Sequence, residues 1–215
     1  LDLCIVNKVN YFENNINKFK MKVSKKVPKG RIEVICGSMF SGKTEELIKR
    51  IKKVEFSNEN FIVFKPITDS RNPVDKIVSH AKNEILSKVV KSSNDILNLS
   101  KNYKVIAIDE AQFFDQDLVL VCNKLANSGC RVIVAGLDMD YKGIPFGPMP
   151  NLMACAEEVT KVHATCVETG GLASFSFRKI ENEDLVMVGE KKEYEPLSRN
   201  AFIERMKEKK KINND

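Results

Sequence analysis

The sequence predicts an α/β fold in which helices flank a mainly parallel β-sheet. Short apolar segments of strand length alternate along the chain with segments whose apolar residues recur at helical spacing, which is typical of strand–helix–strand units. A glycine-rich sequence of the phosphate-binding type stands where the first such strand meets the first such helix. Together these observations predict a P-loop NTPase fold with a RecA-like parallel sheet, to which a small subdomain is attached.

The individual elements follow from local patterns, in chain order. Four short apolar segments are predicted to be buried strands, at 31–36, 61–65, 104–109 and 131–137. Two segments carry apolar residues at helical spacing and are predicted to be helices, at 44–56 and 117–129. A loop rich in proline and glycine follows, and it leads into a short helix within 143–159.

The length of the chain suits one domain and a small appendage. After Val162 the pattern changes to paired glycines, alternating residues and frequent charges, which indicates a loop-rich subdomain. The lysine clusters near both ends are interpreted as solvated charge in loose termini, so we expect no nucleic-acid partner. Four regions are therefore expected: a disordered N-terminal extension (1–27), an α/β domain (28–162), a small subdomain (163–202) and a basic C-terminal tail (203–215).

Composition and charge restrict the function classes. The formal net charge of +6 suits an anionic substrate such as a nucleotide. No apolar run approaches the roughly 20 residues required to cross a bilayer, so we expect no membrane partner. The first residues lack the basic and apolar regions of a secretory signal, and the six cysteines are mostly isolated. These features predict a reduced, cytoplasmic protein.

The stretch "CGSMFSGKT" carries the strongest local signal. It fits the phosphate-loop pattern of Gly37, four residues, and then Gly42, Lys43 and Thr44 without a mismatch. Backbone N–H groups of such a loop point at the phosphates, and the following helix adds positive potential at its N-terminus. The lysine can reach the outer phosphates, and the threonine hydroxyl can bind Mg²⁺. We therefore predict a nucleoside triphosphate site here.

A second signal follows the strand within "KVIAIDEAQFF". Asp109 comes directly after four apolar residues and is predicted to hold Mg²⁺, directly or through its waters. Glu110 can either orient a hydrolytic water or accept a proton from an alcohol, and the residues alone leave this choice open. The letters "DEAQ" also look like the helicase box of ATP-driven motors. Such motors need two domains of this kind, and the chain has room for one.

Several stretches beyond the phosphate loop carry a family resemblance. "FKPITDSR" (64–71), "DEAQFF" (109–114), "GLDMDYKGIPFG" (136–147) and "ASFSFRK" (173–179) follow in order, with Tyr194 beyond them. Together with the phosphate loop they resemble the type II thymidine kinase family, the compact class also found as the cytosolic enzyme of animals. The resemblance extends from about residue 30 to 202. It implies transfer of the ATP γ-phosphate to the 5′-hydroxyl of thymidine, and of deoxyuridine, for nucleotide salvage and DNA synthesis.

The resemblance also implies roles for individual residues. Glu110 is similar in position to the family's catalytic base, with Lys43 and Arg71 as the further catalytic residues that meet the phosphates. The magnesium pair predicted above from the motifs is Thr44 with Asp109. The ATP site comprises Gly37, Ser38, Met39, Phe40, Ser41, Gly42, Lys43, Thr44, Asp109, Glu110, Ala111 and Gln112. The residues around the thymine and deoxyribose are Met39, Phe113, Leu137, Tyr141, Phe146, Ser176, Leu185 and Tyr194.

The resemblance implies a homotetramer and feedback inhibition of the activity by thymidine triphosphate. It also implies a flexible "lasso" segment that closes over the base. Residues 163–202 correspond to that lasso and are called the lasso subdomain below. A non-catalytic regulator that binds thymidine triphosphate is the alternative that the sequence leaves open.

The chain departs from the family at the base of the lasso subdomain, where two C-x-x-C pairs usually hold a structural zinc. Cys166 occupies one ligand position, but Thr169, Ser198 and Ala201 occupy the other three. His163 lies three residues before Cys166, and on a strand those two side chains face opposite ways. One thiolate cannot make a tetrahedral site, so we expect no zinc.

Overall fold

The computed structural model describes residues 30–68, 76–79, 83–180 and 193–212, and the predicted extension 1–27 lies outside them. The strands of these residues are β1 (Arg31–Gly37), β2 (Phe61–Pro66), β3 (Lys76–Val78), β4 (Glu84–Leu86), β5 (Lys88–Val90), β6 (Val105–Ile108), β7 (Arg131–Leu137), β8 (Glu158–Lys161), β9 (Ala164–Thr165), β10 (Leu172–Ala173), β11 (Phe175–Arg178) and β12 (Tyr194–Leu197). The helices are α1 (Lys43–Phe56), α2 (Ser93–Leu99), α3 (Leu118–Asn127), α4 (Met149–Cys155) and α5 (Arg199–Ile212), with a 3₁₀ turn at Ala111–Phe113.

The main sheet contains six strands in the order β5-β2-β6-β7-β1-β8. Every neighbouring pair of strands is parallel. The carboxyl ends of β1 and β7 lie side by side, with Gly37 opposite Leu137. The predicted α/β fold with a parallel sheet is therefore confirmed, and segments distant in sequence end at one edge of it.

Helices cover both faces of the sheet, which explains why its central strands are predominantly apolar. Val34 and Cys36 of β1 face the layer formed by α2, α3 and α4. Ile35, between them, packs against Leu47 and Ile48 of α1 on the opposite face. The four strands and two helices predicted from apolar patterns are all present, as is the short helix after the proline- and glycine-rich loop. Among the described residues no helix has the length and apolarity that a membrane span requires.

A buried carboxylate ties β1 to its neighbours. Glu33 is 1% exposed and forms ion pairs with Arg31, Arg50 of α1 and Arg131 of β7 at 2.6–2.8 Å. Burial alone would raise the pKa of Glu33. Hydrogen bonds and charge from the three arginines outweigh that effect and lower its pKa to about 2.

The lasso subdomain has its own apolar cluster. Its two hairpins, β9–β10 and β11–β12, pack with α5 around Phe175, Phe177 and Phe202. The rings of Phe175 and Phe202 are stacked, with centroids 4.6 Å apart. Helix α5 runs across the expected boundary at residue 202, so the basic segment that follows is helical as far as Ile212 and is not loose chain.

Candidate active site

The phosphate loop joins β1 to α1 through an irregular backbone. Gly37, Phe40 and Gly42 have φ angles of 147°, 62° and 86°, which L side chains rarely adopt. A Cβ atom on Gly37 would lie 2.1 Å from the carbonyl oxygen of Val162, so the loop also needs glycine there for space. A strained non-glycine residue such as Phe40 is typical of a functional loop held in place by its surroundings.

Side chains of the loop converge on one carbonyl oxygen. The ammonium group of Lys43 and the hydroxyl of Ser41 each donate a hydrogen bond of 2.7 Å to the Ser38 carbonyl. Ser38 itself is buried. The lysine therefore lies across the loop that the sequence predicts to hold phosphates, at the N-terminus of a 14-residue helix.

The two predicted magnesium ligands meet. The Thr44 hydroxyl, in the first turn of α1, donates a hydrogen bond of 3.2 Å to Oδ2 of Asp109, which follows β6. Asp109 is 4% exposed. A hydroxyl and a carboxylate oxygen are hard ligands of the kind that Mg²⁺ prefers, so this pair fits the ion that the fold implies.

Glu110 lies beside that pair. Its backbone is in the left-handed region, with φ 51°, and its N–H donates a 3.0 Å hydrogen bond to Oδ1 of Asp109. The amide nitrogen of Gln112 donates to Oε2 of Glu110 at 2.5 Å. The carboxylate predicted to be the base is thus next to the predicted magnesium pair. Ala111 and Gln112, which the sequence assigns to the ATP site, are both buried in the 3₁₀ turn.

The predicted substrate residues take part in four contacting groups. Phe113 and Phe146 meet edge to face, with ring centroids 5.7 Å apart. The N–H of Leu137 donates to the side-chain oxygen of Gln112 at 2.9 Å, which joins the end of β7 to the 3₁₀ turn. The N–H of Met39 donates to the Ser176 hydroxyl at 2.9 Å, which joins the phosphate loop to the lasso subdomain.

The fourth group is built around Arg178, a residue that the sequence did not predict for the site. Its guanidinium lies 3.7 Å from the centre of the Tyr141 ring, and its Nε donates to the Tyr194 hydroxyl at 2.9 Å. Arg178 is buried, and it follows Ser176 by two residues on β11, so both side chains share one face of the strand. Burial raises the pKa of Tyr194, against the opposing effect of Arg178. No signal for this role is present in the sequence, because the alternation of phenylalanines with polar residues along β11 puts Arg178 on the face expected to be exposed.

Two predicted residues lie outside the described part of the chain. Arg71, assigned to the phosphates, falls within 69–75, and Leu185, assigned to the base, falls within 181–192. Both assignments stay predictions.

The base of the lasso subdomain does not fit zinc. Ala201 is buried in the apolar cluster, and Cys166 is the only thiol among the four family positions. Burial opposes ionisation of Cys166, but hydrogen bonds from the Thr169 hydroxyl and from backbone groups of Ser198, Thr169 and Glu168 lower its pKa to about 6. In the described residues no three His, Cys, Asp or Glu side chains come together as a metal site. The residues at the four positions therefore take part in apolar packing and polar contacts.

A strained glycine loop between a parallel strand and a helix, with a threonine–aspartate pair beside it, defines a P-loop nucleotide-binding protein of the α/β class. Comparison with known proteins specifies the class further. The sequence model of the thymidine kinase family matches residues 30–202, and the chain belongs to that family. The predicted family is confirmed, and with it the prediction of a kinase.

Three curated relatives are each named thymidine kinase. The protein from Bacteroides fragilis is 56% identical over 180 residues, which cover 84% of this chain and 90% of that one. The protein from Porphyromonas gingivalis is 53% identical over 176 residues, with 82% and 86% covered. The protein from Rhodothermus sp. is 51% identical over 173 residues, with 80% and 81% covered. This chain is therefore similar to kinases over nearly their whole length, which excludes the motor interpretation.

Proposed function

We propose that this chain transfers the γ-phosphate of ATP to the 5′-hydroxyl of thymidine, and of deoxyuridine, to give the monophosphate. The observation that carries the proposal is the arrangement at the end of β6. Asp109 is hydrogen bonded to Thr44 of the phosphate loop, and Glu110 follows it directly. A metal–triphosphate site and a carboxylate that can accept a proton are thus adjacent, which is what transfer to an alcohol requires.

Each residue of the site is proposed to have a distinct role in the reaction. The phosphate loop binds the triphosphate through its backbone, and Lys43 binds its outer phosphates in place of the Ser38 carbonyl that it contacts here. Thr44 and Asp109 would hold Mg²⁺, which supplies neutralisation of the phosphate charge when bound. Glu110 accepts the proton of the 5′-hydroxyl as its oxygen attacks the γ-phosphorus, and the bond from that phosphorus to the bridging oxygen breaks to release ADP. Arg71 is proposed to contact the phosphates near the acceptor.

Recognition of the base follows from the residues around it. A flat, weakly polar base needs apolar and aromatic walls with a few fixed hydrogen-bonding groups. Phe113, Phe146, Tyr141 and Tyr194 supply aromatic surfaces, and Arg178 contacts both tyrosines. The lasso is proposed to close over the base, with its backbone groups paired to the thymine edge and water excluded.

Several finer features belong to the same proposal. We infer a cytoplasmic homotetramer that is inhibited by thymidine triphosphate, requires magnesium, contains no structural zinc, serves nucleotide salvage and has neither a nucleic acid nor a membrane as partner. The homotetramer and the inhibition by thymidine triphosphate are inferred from the family to which the chain belongs. The absence of three of the four zinc-ligand residues supports the part on zinc.

One assay tests the central proposal. The purified chain is incubated with radiolabelled thymidine, ATP and Mg²⁺, and the monophosphate is measured, with deoxycytidine as the control substrate. We expect thymidine monophosphate and no more than traces of the deoxycytidine product. Binding of thymidine triphosphate without any monophosphate formed would instead identify a non-catalytic regulator.

A further inference from the structure

The side chain of Gln112 connects the proposed base to the substrate wall. It is 2% exposed and lies in the 3₁₀ turn that follows Glu110. Its amide nitrogen donates to Oε2 of Glu110 at 2.5 Å, and its amide oxygen accepts from the N–H of Leu137 at 2.9 Å. We propose that Gln112 is a positioning residue that fixes the Glu110 carboxylate for proton transfer. This inference rests on the proposed function of Glu110.

The orientation of the Gln112 side-chain amide follows from the hydrogen-bonding capacity of its two partners. A backbone N–H can only donate a hydrogen bond, so the oxygen of the amide must face Leu137. The NH₂ group must then face Glu110, where an ionised carboxylate can only accept. Both partners therefore require the same orientation, and a flipped amide would lose both hydrogen bonds.

Gln112 occupies space that is available only because the residues at positions 136 and 147 are glycines without side chains. A Cβ atom on Gly136 would lie 2.8 Å from the Gln112 side-chain oxygen, and one on Gly147 would lie 2.3 Å from its backbone oxygen. Gly136 is in β7, and Gly147 follows Phe146 of the substrate wall. Gln112 is thus enclosed by the sheet edge on one side and by the loop that carries Phe146 on the other.

Glu110 needs such support because of its backbone. It lies in the left-handed region between β6 and the 3₁₀ turn, where no regular element directs its side chain. A chain of hydrogen bonds runs from Thr44 through Asp109 and Glu110 to Gln112 and on to Leu137. It places the carboxylate relative to both the metal pair and the substrate wall, and errors near 1 Å in such placement can cost roughly a hundredfold in rate.

A double-mutant cycle tests the inference. Gln112→Met keeps the size of the side chain but removes the donor to Glu110. We expect kcat to fall roughly ten- to a hundredfold. The KM values of thymidine and ATP should stay within about threefold, because the amide of Gln112 is hydrogen bonded to Glu110 and Leu137. A larger rise in the KM of ATP would instead support the ATP-site assignment of Gln112 and overturn the positioning role. In a Glu110→Gln background the same change should have little further effect, since no base remains to be positioned. The exposed Gln116→Met is the matched control and should behave as the wild type.

The outcomes separate the two proposals. Unchanged kcat in Gln112→Met, or an equal loss in the Glu110→Gln background, overturns the positioning role and leaves the proposed base intact. Unchanged kcat in Glu110→Gln alone overturns the base itself. If Gln112→Met fails to fold, the smaller Gln112→Ala replaces it, because alanine also lacks a donor to Glu110. Full kcat in that variant at neutral pH overturns the inference.

Discussion

Substitution of Glu33 by glutamine should remove a measurable part of the stability of the sheet. The Glu33 side chain is 2% exposed and accepts hydrogen bonds from Arg31, Arg50 and Arg131, so its negative charge is compensated only in the folded state. Its pKa falls from 4.5 to about 2. At about 1.4 kcal/mol per pKa unit, this shift corresponds to about 3 kcal/mol in the free energy of unfolding at neutral pH.

The pH dependence of the Glu33→Gln effect follows from the sign of the shift. A carboxylate with a depressed pKa stabilises the folded state fully above its unfolded pKa of 4.5, and this stabilisation is lost as the pH falls toward about 2. The difference between wild type and Glu33→Gln should therefore be constant between pH 6 and 7. At pH 3 it should be less than half as large.

Urea unfolding measures the difference in the free energy of unfolding between the wild type and Glu33→Gln. It is followed by circular dichroism between pH 3 and 7 at one protein concentration. Glu46→Gln is the matched control. Glu46 also pairs with Arg50, at 3.1 Å, but its side chain is 23% exposed, so its loss should cost less than about 1 kcal/mol. A Glu33→Gln effect below about 1 kcal/mol, or one that does not change with pH, would refute the reasoning.

Three further predictions concern the site. Glu110→Gln should lower kcat at least about a hundredfold with ATP binding largely retained, because only the proton acceptor is lost; steady-state kinetics and an ATP-binding titration check this, and undiminished turnover would contradict it. Arg178→Met should raise the thymidine KM roughly tenfold, since the contacts that hold Tyr141 and Tyr194 are removed; an unchanged KM in a variant with wild-type thermal stability would exclude that role. Metal analysis of protein purified without chelator should find far less than one zinc per chain, and a stoichiometric amount would overturn the interpretation of the lasso base.

The sheet could be predicted from the sequence where burial leaves a long apolar run. β1, β2, β6 and β7 are predominantly apolar because helices cover both of their faces. β3, β4 and β5 have three residues each, too few to establish a pattern. β8 has the sequence EVTK and is largely exposed at the sheet edge, so it carries no hydrophobic signal.

The candidate site likewise has a part that could be predicted from the sequence and a part that could not. The phosphate loop, Asp109 and Glu110 could be found because each belongs to a contiguous motif beside a strand. The contact of Gln112 with Leu137 spans 25 residues, and that of Arg178 with Tyr194 spans 16. Such pairs depend on how β6, β7 and the lasso subdomain pack, and that arrangement has no local signature. The C-terminal lysines likewise suggested loose chain, although Phe202 anchors their helix to the aromatic cluster.

The hydrogen bond between the Met39 N–H and the Ser176 hydroxyl has a consequence for cooperativity. It joins the backbone that receives the donor nucleotide to a residue assigned to the acceptor pocket. We therefore expect a shift of the loop on ATP binding to move the Ser176 hydroxyl and so to alter the affinity for thymidine. Thermodynamic linkage requires the reverse effect to be equal, so thymidine should change the affinity for ATP by the same factor. We therefore expect occupancy of either pocket to change the ligand affinity of the other.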